Sequence, residues 1–213
     1  KLTSLSNTNS LINVLSKHTT LKSENDNKSI IYFDIIKFKK YNVLFGDEFG
    51  NEIICKLANL IKEFKNDDEQ LFALGAGKFV LLINEYIDYE NLKEGRCKNL
   101  YDFLTKPFTI SLNEIKLDVA IGIFNIDYNM YPTLTPQIII KNASIAANKA
   151  KDYEGRKICI YDNGIYQIIK RDEIIAQDIE NGIKNNEFVV YFQPQFDLKK
   201  NVVTGFESLL RWN

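Results

Sequence analysis

Residues 71–83 read Leu-Phe-Ala-Leu-Gly-Ala-Gly-Lys-Phe-Val-Leu-Leu-Ile, two apolar runs joined by Gly75, Ala76 and Gly77. Small residues between two such runs predict a hairpin of two strands. Upstream, Ser29–Ile35 is a short β-branched and aromatic run that predicts a buried strand. Residues 37–45 predict a short helix closed by Gly46. Ile53, Ile54, Leu57, Leu60, Ile61 and Phe64 then recur at helical spacing. The polar segment 66–70 predicts a turn before the hairpin.

Beyond the hairpin, 91–104 has helical periodicity, and Pro107 stops it. Residues 109–112 and 117–126 are expected to pair as strands across Asn113. Thr135-Pro136 has the form of an N-cap followed by proline at the first helical position, with Gly155 just past the helix end. Residues 157–162 predict a closing strand. The order β-α-α-β-β-α-β-α-β fits an α+β sandwich, a mainly antiparallel central sheet flanked by helices. Isoleucines 165, 168, 169, 175, 179 and 183 then predict a connecting helix, and 188–198 with 202–212 a second strand pair around Lys199-Lys200-Asn201.

Hydrophobic content of 45%, with 14 Phe and 11 Tyr, suffices for a packed core. A formal net charge of −1 gives no electrostatic reason for a nucleic-acid or anionic-membrane partner. Lys37, Lys39 and Lys40 read as a solvated face. Cys55, Cys97 and Cys159 are odd in number and form no CxxC pair, and His18 is the one histidine. Reduced thiols in a cytoplasmic domain are expected, without structural zinc. No apolar run approaches the roughly 20 residues of a membrane span, and no signal peptide is visible. The abrupt ends mark a fragment, whose parent could carry an upstream sensor or membrane tether.

The segment 33–61, FDIIKFKKYNVLFGDEFGNEIICKLANLI, resembles the nucleotide-binding half of GGDEF domains, the diguanylate cyclases. That family carries GG(D/E)EF in the later hairpin, where this chain has Gly75-Ala76-Gly77-Lys78-Phe79. Gly46-Asp47-Glu48-Phe49 spells GDEF but falls between two helices, where the family usually has a Gly-His-Asp-like sequence. The C-terminal strings YFQPQFDL (191–198) and GFESLLRW (205–212) resemble the opening of EAL domains, the cyclic di-GMP phosphodiesterases, with Ser208 replacing an alanine. The double resemblance implies a degenerate GGDEF domain at 1–163 with a nucleotidyl-cyclase-like, ferredoxin-like core. A linker helix at 164–186 and the N-terminal fragment of an EAL domain at 187–213 follow it.

The resemblance implies roles for individual residues. Asp34 matches a magnesium ligand, and its other reading is a strand-end cap. Ile36 and Gly77–Lys78 replace further carboxylates, so cyclase activity is not expected. Lys78 reads either as a cation standing in for the metal against nucleotide phosphates or as a solvated hairpin lysine. Asn42 matches a guanine contact, and Asn51 stands where the family has an aspartate. An amide there loses one acceptor to guanine, at about 1–3 kcal/mol. Both asparagines also read as surface caps. Lys151 and Arg156 match the basic pair of an AKxxGR motif, which here reads AKDYEGR with one residue more. The family's inhibitory RxxD falls on Asn66–Glu69, where no arginine stands to hold cyclic di-GMP. Glu207 matches a metal ligand of complete EAL domains, and Gln193 and Arg211 match their dinucleotide contacts. The implied function is a catalytically inactive regulatory domain that binds GTP or another guanine nucleotide, with magnesium as its companion ion, and modulates the adjoining EAL domain. The alternative is a nucleotide-independent scaffold or homodimerisation domain.

Overall fold

The structure is a computed structural model that describes residues 2–21, 28–131 and 133–213. In chain order the first elements are α1 (Thr8–Leu21), β1 (Lys28–Ile35), α2 (Phe38–Phe45), α3 (Asp47–Phe64), β2 (Gln70–Gly75) and β3 (Lys78–Ile83). Then come α4 (Tyr89–Lys93), α5 (Arg96–Leu104), β4 (Phe108–Ile110), β5 (Asn113–Ile115), β6 (Val119–Ile126), α6 (Pro136–Ala150) and β7 (Ile158–Ile160). The last are α7 (Asn163–Lys184), β8 (Phe188–Asp197) and β9 (Val202–Trp212). The chain divides into two units, Lys1–Ile165 and Tyr166–Asn213.

In the first unit a five-stranded sheet has the order β2-β3-β1-β6-β7, antiparallel except for the β6–β7 pair. Side chains alternate across it with the period of two that a strand imposes. Ile31, Phe33 and Ile35 join Phe79, Leu81, Ile121 and Ile123 on one face, under Ile53, Leu57 and Ile61 of α3 and Leu100 and Leu104 of α5. The intervening residues Ile30, Tyr32 and Asp34 point to the other face, where α1 and α6 lie against the sheet. Helix α6 starts as its sequence requires: the Thr135 hydroxyl accepts from Ile138 N–H, and Pro136 occupies the first turn.

Gly122 decides how close α6 comes. A Cβ there would lie 2.0 Å from the Ala143 carbonyl oxygen and 2.2 Å from Ala147 N, so helix backbone rests directly on strand backbone. Ala143, Ala146, Ala147 and Ala150 supply the small side chains that permit this approach.

Two expectations need correction. Residues 109–112 and 117–126 do not pair across Asn113. β4 turns back at Ser111-Leu112 to pair with β5, and β6 enters the main sheet beside β1. Apart from Asn125, β6 is apolar, and it is buried along its whole length between β1 and β7. The helix expected over 91–104 breaks at Gly95 into α4 and α5. A Cβ at Gly95 would meet Asn91 Cα at 2.6 Å, too close for a side chain. Helix α1 carried no expectation; its Leu11 and Leu15 are fully buried.

The expected hairpin, the helix ending at 64 and the closing strand are all present. The three cysteines are free thiols, and burial pushes the Cys97 thiol up to about 12. In the second unit β8 and β9 pair antiparallel around the turn at 199–201. Among the described residues no helix is long and apolar enough to cross a membrane.

Replacing Gly122 by alanine is expected to lower stability by about 2 kcal/mol or more, because backbone must move to admit a methyl group. Urea unfolding of the variant measures it.

Candidate functional site

Strand β1 delivers Asp34 to one end of the sheet. Its register partner on β3 is Lys78, and on β6 Ala120. Directly opposed residues of an antiparallel pair project to the same face, so Lys78 and Asp34 are neighbours on the α6 side. The end of α6 brings a second cation. Lys151 Nζ donates to Asp34 Oδ2 at 2.6 Å and to Asn148 Oδ1 at 2.9 Å. Asp34 is 8% exposed, so its carboxylate is held mainly by this contact.

A cleft of about 640 Å³ opens beside this pair, lined by Ile36, Lys37, Lys40, Tyr41, Leu44, Asp118, Lys151 and Lys157. Lys37, Lys40, Tyr41 and Leu44 follow the i, i+3, i+4, i+7 pattern of one helical face. Lys37 and Lys40 are exposed, as expected, and they also line one wall of the cleft. Lys37 has φ 54°, in the left-handed region, and starts α2 with no side-chain cap on the first-turn N–H groups. The start of this helix therefore leaves backbone donors open.

The extra residue in 151–156 changes which cation reaches the cleft. Arg156 Nε donates to Asp102 Oδ1 at 3.1 Å on α5, and Arg156, with Lys98, holds the Asp102 carboxyl below its ordinary value. Arg156 is absent from the cleft lining. Lys157, one residue later, lines it instead, with Nζ donating to the carbonyls of Lys151 and Tyr153. The added residue was visible in the sequence, but only the fold shows that Lys157 takes the position.

Asn42 and Asn51 are separated from this cleft lining. Asn42 lies at the α2–α3 seam, where a Cβ on Gly50 would fall 1.9 Å from Asn42 Oδ1. That oxygen is buried and has no hydrogen-bond partner in the structure. Asn51 is exposed on α3. Gly46, φ 89° and ψ 165°, lets the chain pass from α2 to α3 in one residue.

The hairpin is a two-residue turn, Ala76-Gly77, between the paired Gly75 and Lys78. Gly75, Ala76 and Gly77 all have positive φ, 92°, 49° and 74°. A Cβ on Gly77 would stand 3.2 Å from Ile35 Cδ1 and Phe38 Cγ. Magnesium, a hard cation, wants several oxygen ligands. The donor set at Asp34 is one carboxylate already bridged by Lys151, with Lys78 opposite. Among the described residues no group of three or more His, Cys, Asp or Glu is placed to hold a metal. These residues do not fit a magnesium ion.

The family described as "Diguanylate cyclase, GGDEF domain" matches residues 1–157, and "EAL domain" matches residues 176–213. The chain belongs to the GGDEF family. The beginning of an EAL domain follows it. Over 188 residues this GGDEF chain is 25% identical to "Bifunctional diguanylate cyclase/cyclic di-GMP phosphodiesterase MucR" of Pseudomonas aeruginosa, covering 86% of this chain and 26% of that protein. Over 217 residues it is 23% identical to "Cyclic di-GMP phosphodiesterase PdeR" of Escherichia coli, covering 99% of this chain and 31% of that protein. The chain thus spans less than a third of either relative. The isolated GGDEF domain of PA1120 (TpbB or YfiN) from P. aeruginosa has the same fold, with TM-score 0.67 at 20% identity over 80% of this chain and 98% of that one. So has the GGDEF domain of DgcB from Caulobacter crescentus in complex with c-di-GMP, with TM-score 0.63 at 14% identity over 75% and 93%.

In this GGDEF domain the segment before the hairpin holds a pairing that sequence reading missed. Arg96 forms a two-pronged ion pair with Glu69, its NH2 reaching Oε2 at 2.7 Å, and also donates to Glu85 Oε1 at 3.1 Å. Glu69, 5% exposed, accepts the Asn66 N–H as well. The guanidinium lies 5.6 Å from the Phe64 ring centre. In the sequence Glu69 is the last of three consecutive carboxylates before an apolar strand, and its partner lies 27 residues away. In the EAL portion Gln193 and Glu207 are register partners, Arg211 pairs with Val189, and all three functional candidates are exposed.

Two outcomes follow from this geometry. Gly77→Asp should cost about 1–2 kcal/mol in urea unfolding, since φ 74° disfavours any side chain. Arg96→Ala should cost about 3 kcal/mol at pH 7, because Glu69 keeps a buried charge without its cation. Urea unfolding of the variant at pH 7 measures the loss.

Proposed function

We propose that this is a catalytically inactive GGDEF domain that binds a guanine nucleotide, GTP first, and through it modulates an adjoining EAL phosphodiesterase domain. The observation that carries the reading is the charge of the cleft. Lys37, Lys40, Lys151 and Lys157 line it against Asp118, and Asp34 at its edge is already paired. Phosphoryl transfer in this family leans on metal ions and on charge stabilisation at the phosphate. A donor set of one neutralised carboxylate supports binding without that chemistry. Lysine ammonium groups are strong donors to phosphate oxygens. In this reading Lys78, register partner of Asp34, supplies to the phosphates the positive charge that a metal would otherwise bring.

One observation favours a scaffold that binds no nucleotide. Lys151 Nζ already holds both Asp34 and Asn148, so a phosphate must compete with two existing partners.

Isothermal titration with GTP, GDP, ATP and cyclic di-GMP separates the two. The sensor reading expects saturable GTP binding that persists in EDTA and falls about tenfold or more in Lys151→Ala. Cyclic di-GMP is not expected to bind at 66–69, where Arg96 is tied to Glu69 and Glu85. Heat from no nucleotide would establish the scaffold. Complete loss in EDTA would exclude the lysines as a substitute for metal, and turnover of GTP would overturn both readings.

A further inference from the structure

At the other end of the same sheet lies a cavity of about 240 Å³ that the nucleotide reading does not use. Tyr86, Tyr89, Tyr131 and Tyr161 line it with Asp127 and Asp162, and neither lysine nor arginine does. Its residues lie in the first unit, at the C-terminal ends of β6 and β7 and in the loop before α4. We infer that this cavity is a binding site for a small organic ammonium ion, held by the tyrosine rings and the two aspartates.

The walls are fixed before any ligand arrives. Asn125, 9% exposed, clamps the loop that carries Tyr86 and Tyr89. Its Nδ2 donates to the Ile87 carbonyl at 2.8 Å, and its Oδ1 accepts the Ile87 N–H at 3.1 Å. The Ser29 hydroxyl lies within reach of both Asn125 Oδ1 and the Glu85 carbonyl and donates to one at a time. Phe124 supports two rings from behind, its centroid 5.4 Å from that of Tyr131 and 5.5 Å from that of Tyr161. A pre-organised wall spares the ordering cost that a flexible loop would incur on binding.

The charge is set as well. Asp162 Oδ2 accepts from Tyr89 OH at 3.3 Å, and Oδ1 accepts from Ile165 N–H at 2.8 Å. Asp127 Oδ1 accepts the N–H groups of Asn129 and Met130. Among the described residues neither carboxylate has an ion-pair partner. Asp127 is half-buried, and Asp162 is exposed at the rim. Burial first, and then the field of Asp162, raises the pKa of Tyr89 and of Tyr131. Electron-rich ring faces and unpaired carboxylates favour a cation whose charge sits in an apolar shell. The volume is below the roughly 300 Å³ at which drug-sized pockets begin, which restricts the ligand to a single head group.

The test titrates the 213-residue chain with choline and, separately, with spermidine at constant ionic strength, following heat and tyrosine-ring NMR shifts. The neutral choline isostere 3,3-dimethylbutan-1-ol is the control. Saturable binding of either amine, at least ~tenfold tighter than the neutral isostere, supports the inference. Choline alone identifies a quaternary head group, and spermidine alone a primary amine hydrogen-bonded to the aspartates. Tyr89→Ala and Asp127→Asn should each weaken binding about tenfold. Tyr89 is 61% exposed, and Asn retains the Oδ1 acceptor of the 127–130 turn, so each variant should keep the wild-type melting profile. If Tyr89→Ala fails to fold, Asp127→Asn decides alone. No saturable binding of either amine, equal binding of the neutral isostere, or unchanged affinity in the folded variants would overturn it.

Discussion

Helix α6 sits on the central sheet at backbone contact, and the candidate site depends on that seating. Gly122 removes the one side chain that would hold the helix off, while the alanines of α6 keep its underside flat. With the helix at that height, its last turn ends beside Asp34, and Lys151 reaches the carboxylate without crossing solvent. Lys157 then donates back to the carbonyls that end the helix. A cation at a helix C-terminus satisfies orphan acceptors and complements the helix dipole. The same packing thus fixes the floor of the cleft and two of its four lysines.

The cleft reverses a charge pattern. A metal-dependent site gathers carboxylates around a cation that arrives with the substrate. Here Lys37, Lys40, Lys151 and Lys157 line the cleft against Asp118, and Asp34 is paired with Lys151. An aspartate that is 8% exposed needs a partner, because an unpaired buried charge is costly. Lys151 supplies that partner, and Lys78 is the register partner of Asp34 on β3. Gly77 shapes the adjoining turn. Its φ of 74° and the nearness of Ile35 and Phe38 make the turn tight where a carboxylate-bearing residue would need room.

Much of this fold was legible because periodicity and punctuation are local. The 71–83 hairpin, the Gly46 break, the Thr135-Pro136 helix start and the late strand pair each sit on residues adjacent in sequence. What was not legible depends on distant partners. Residues 117–126 have the composition of a strand, but nothing in them chooses between β1 and the nearby 109–112 segment. Glu69 and Arg96 meet only because α5 starts beside the end of β2. Gly95 within an apolar pattern was visible, yet the break follows from Asn91 filling the space its side chain would take. At the site, Asp34 and Lys151 each stood out in the sequence, but nothing there marked them as partners. Counting residues across AKDYEGR showed a shift without showing that Arg156 would face Asp102 and Lys157 the cleft.

A net charge of −1 conceals a separation of charge along the sheet. Register places Asp34 opposite Ala120 and Lys28 opposite Ile126, so the two pockets lie at opposite ends of β1 and β6. One end carries four cleft lysines; the other carries two aspartates among tyrosines, with no lining cation. Composition speaks only to the far field, which salt screens within about 8–10 Å. Recognition in a recess depends on the near field, where low-dielectric walls strengthen each charge. A chain that is neutral as a whole can therefore offer an anion site and a cation site at once. Interleaving the same charges would leave the total unchanged and remove both. Where the charges stand is set by α6, the 84–88 loop and the strand ends, which no sum over the sequence records.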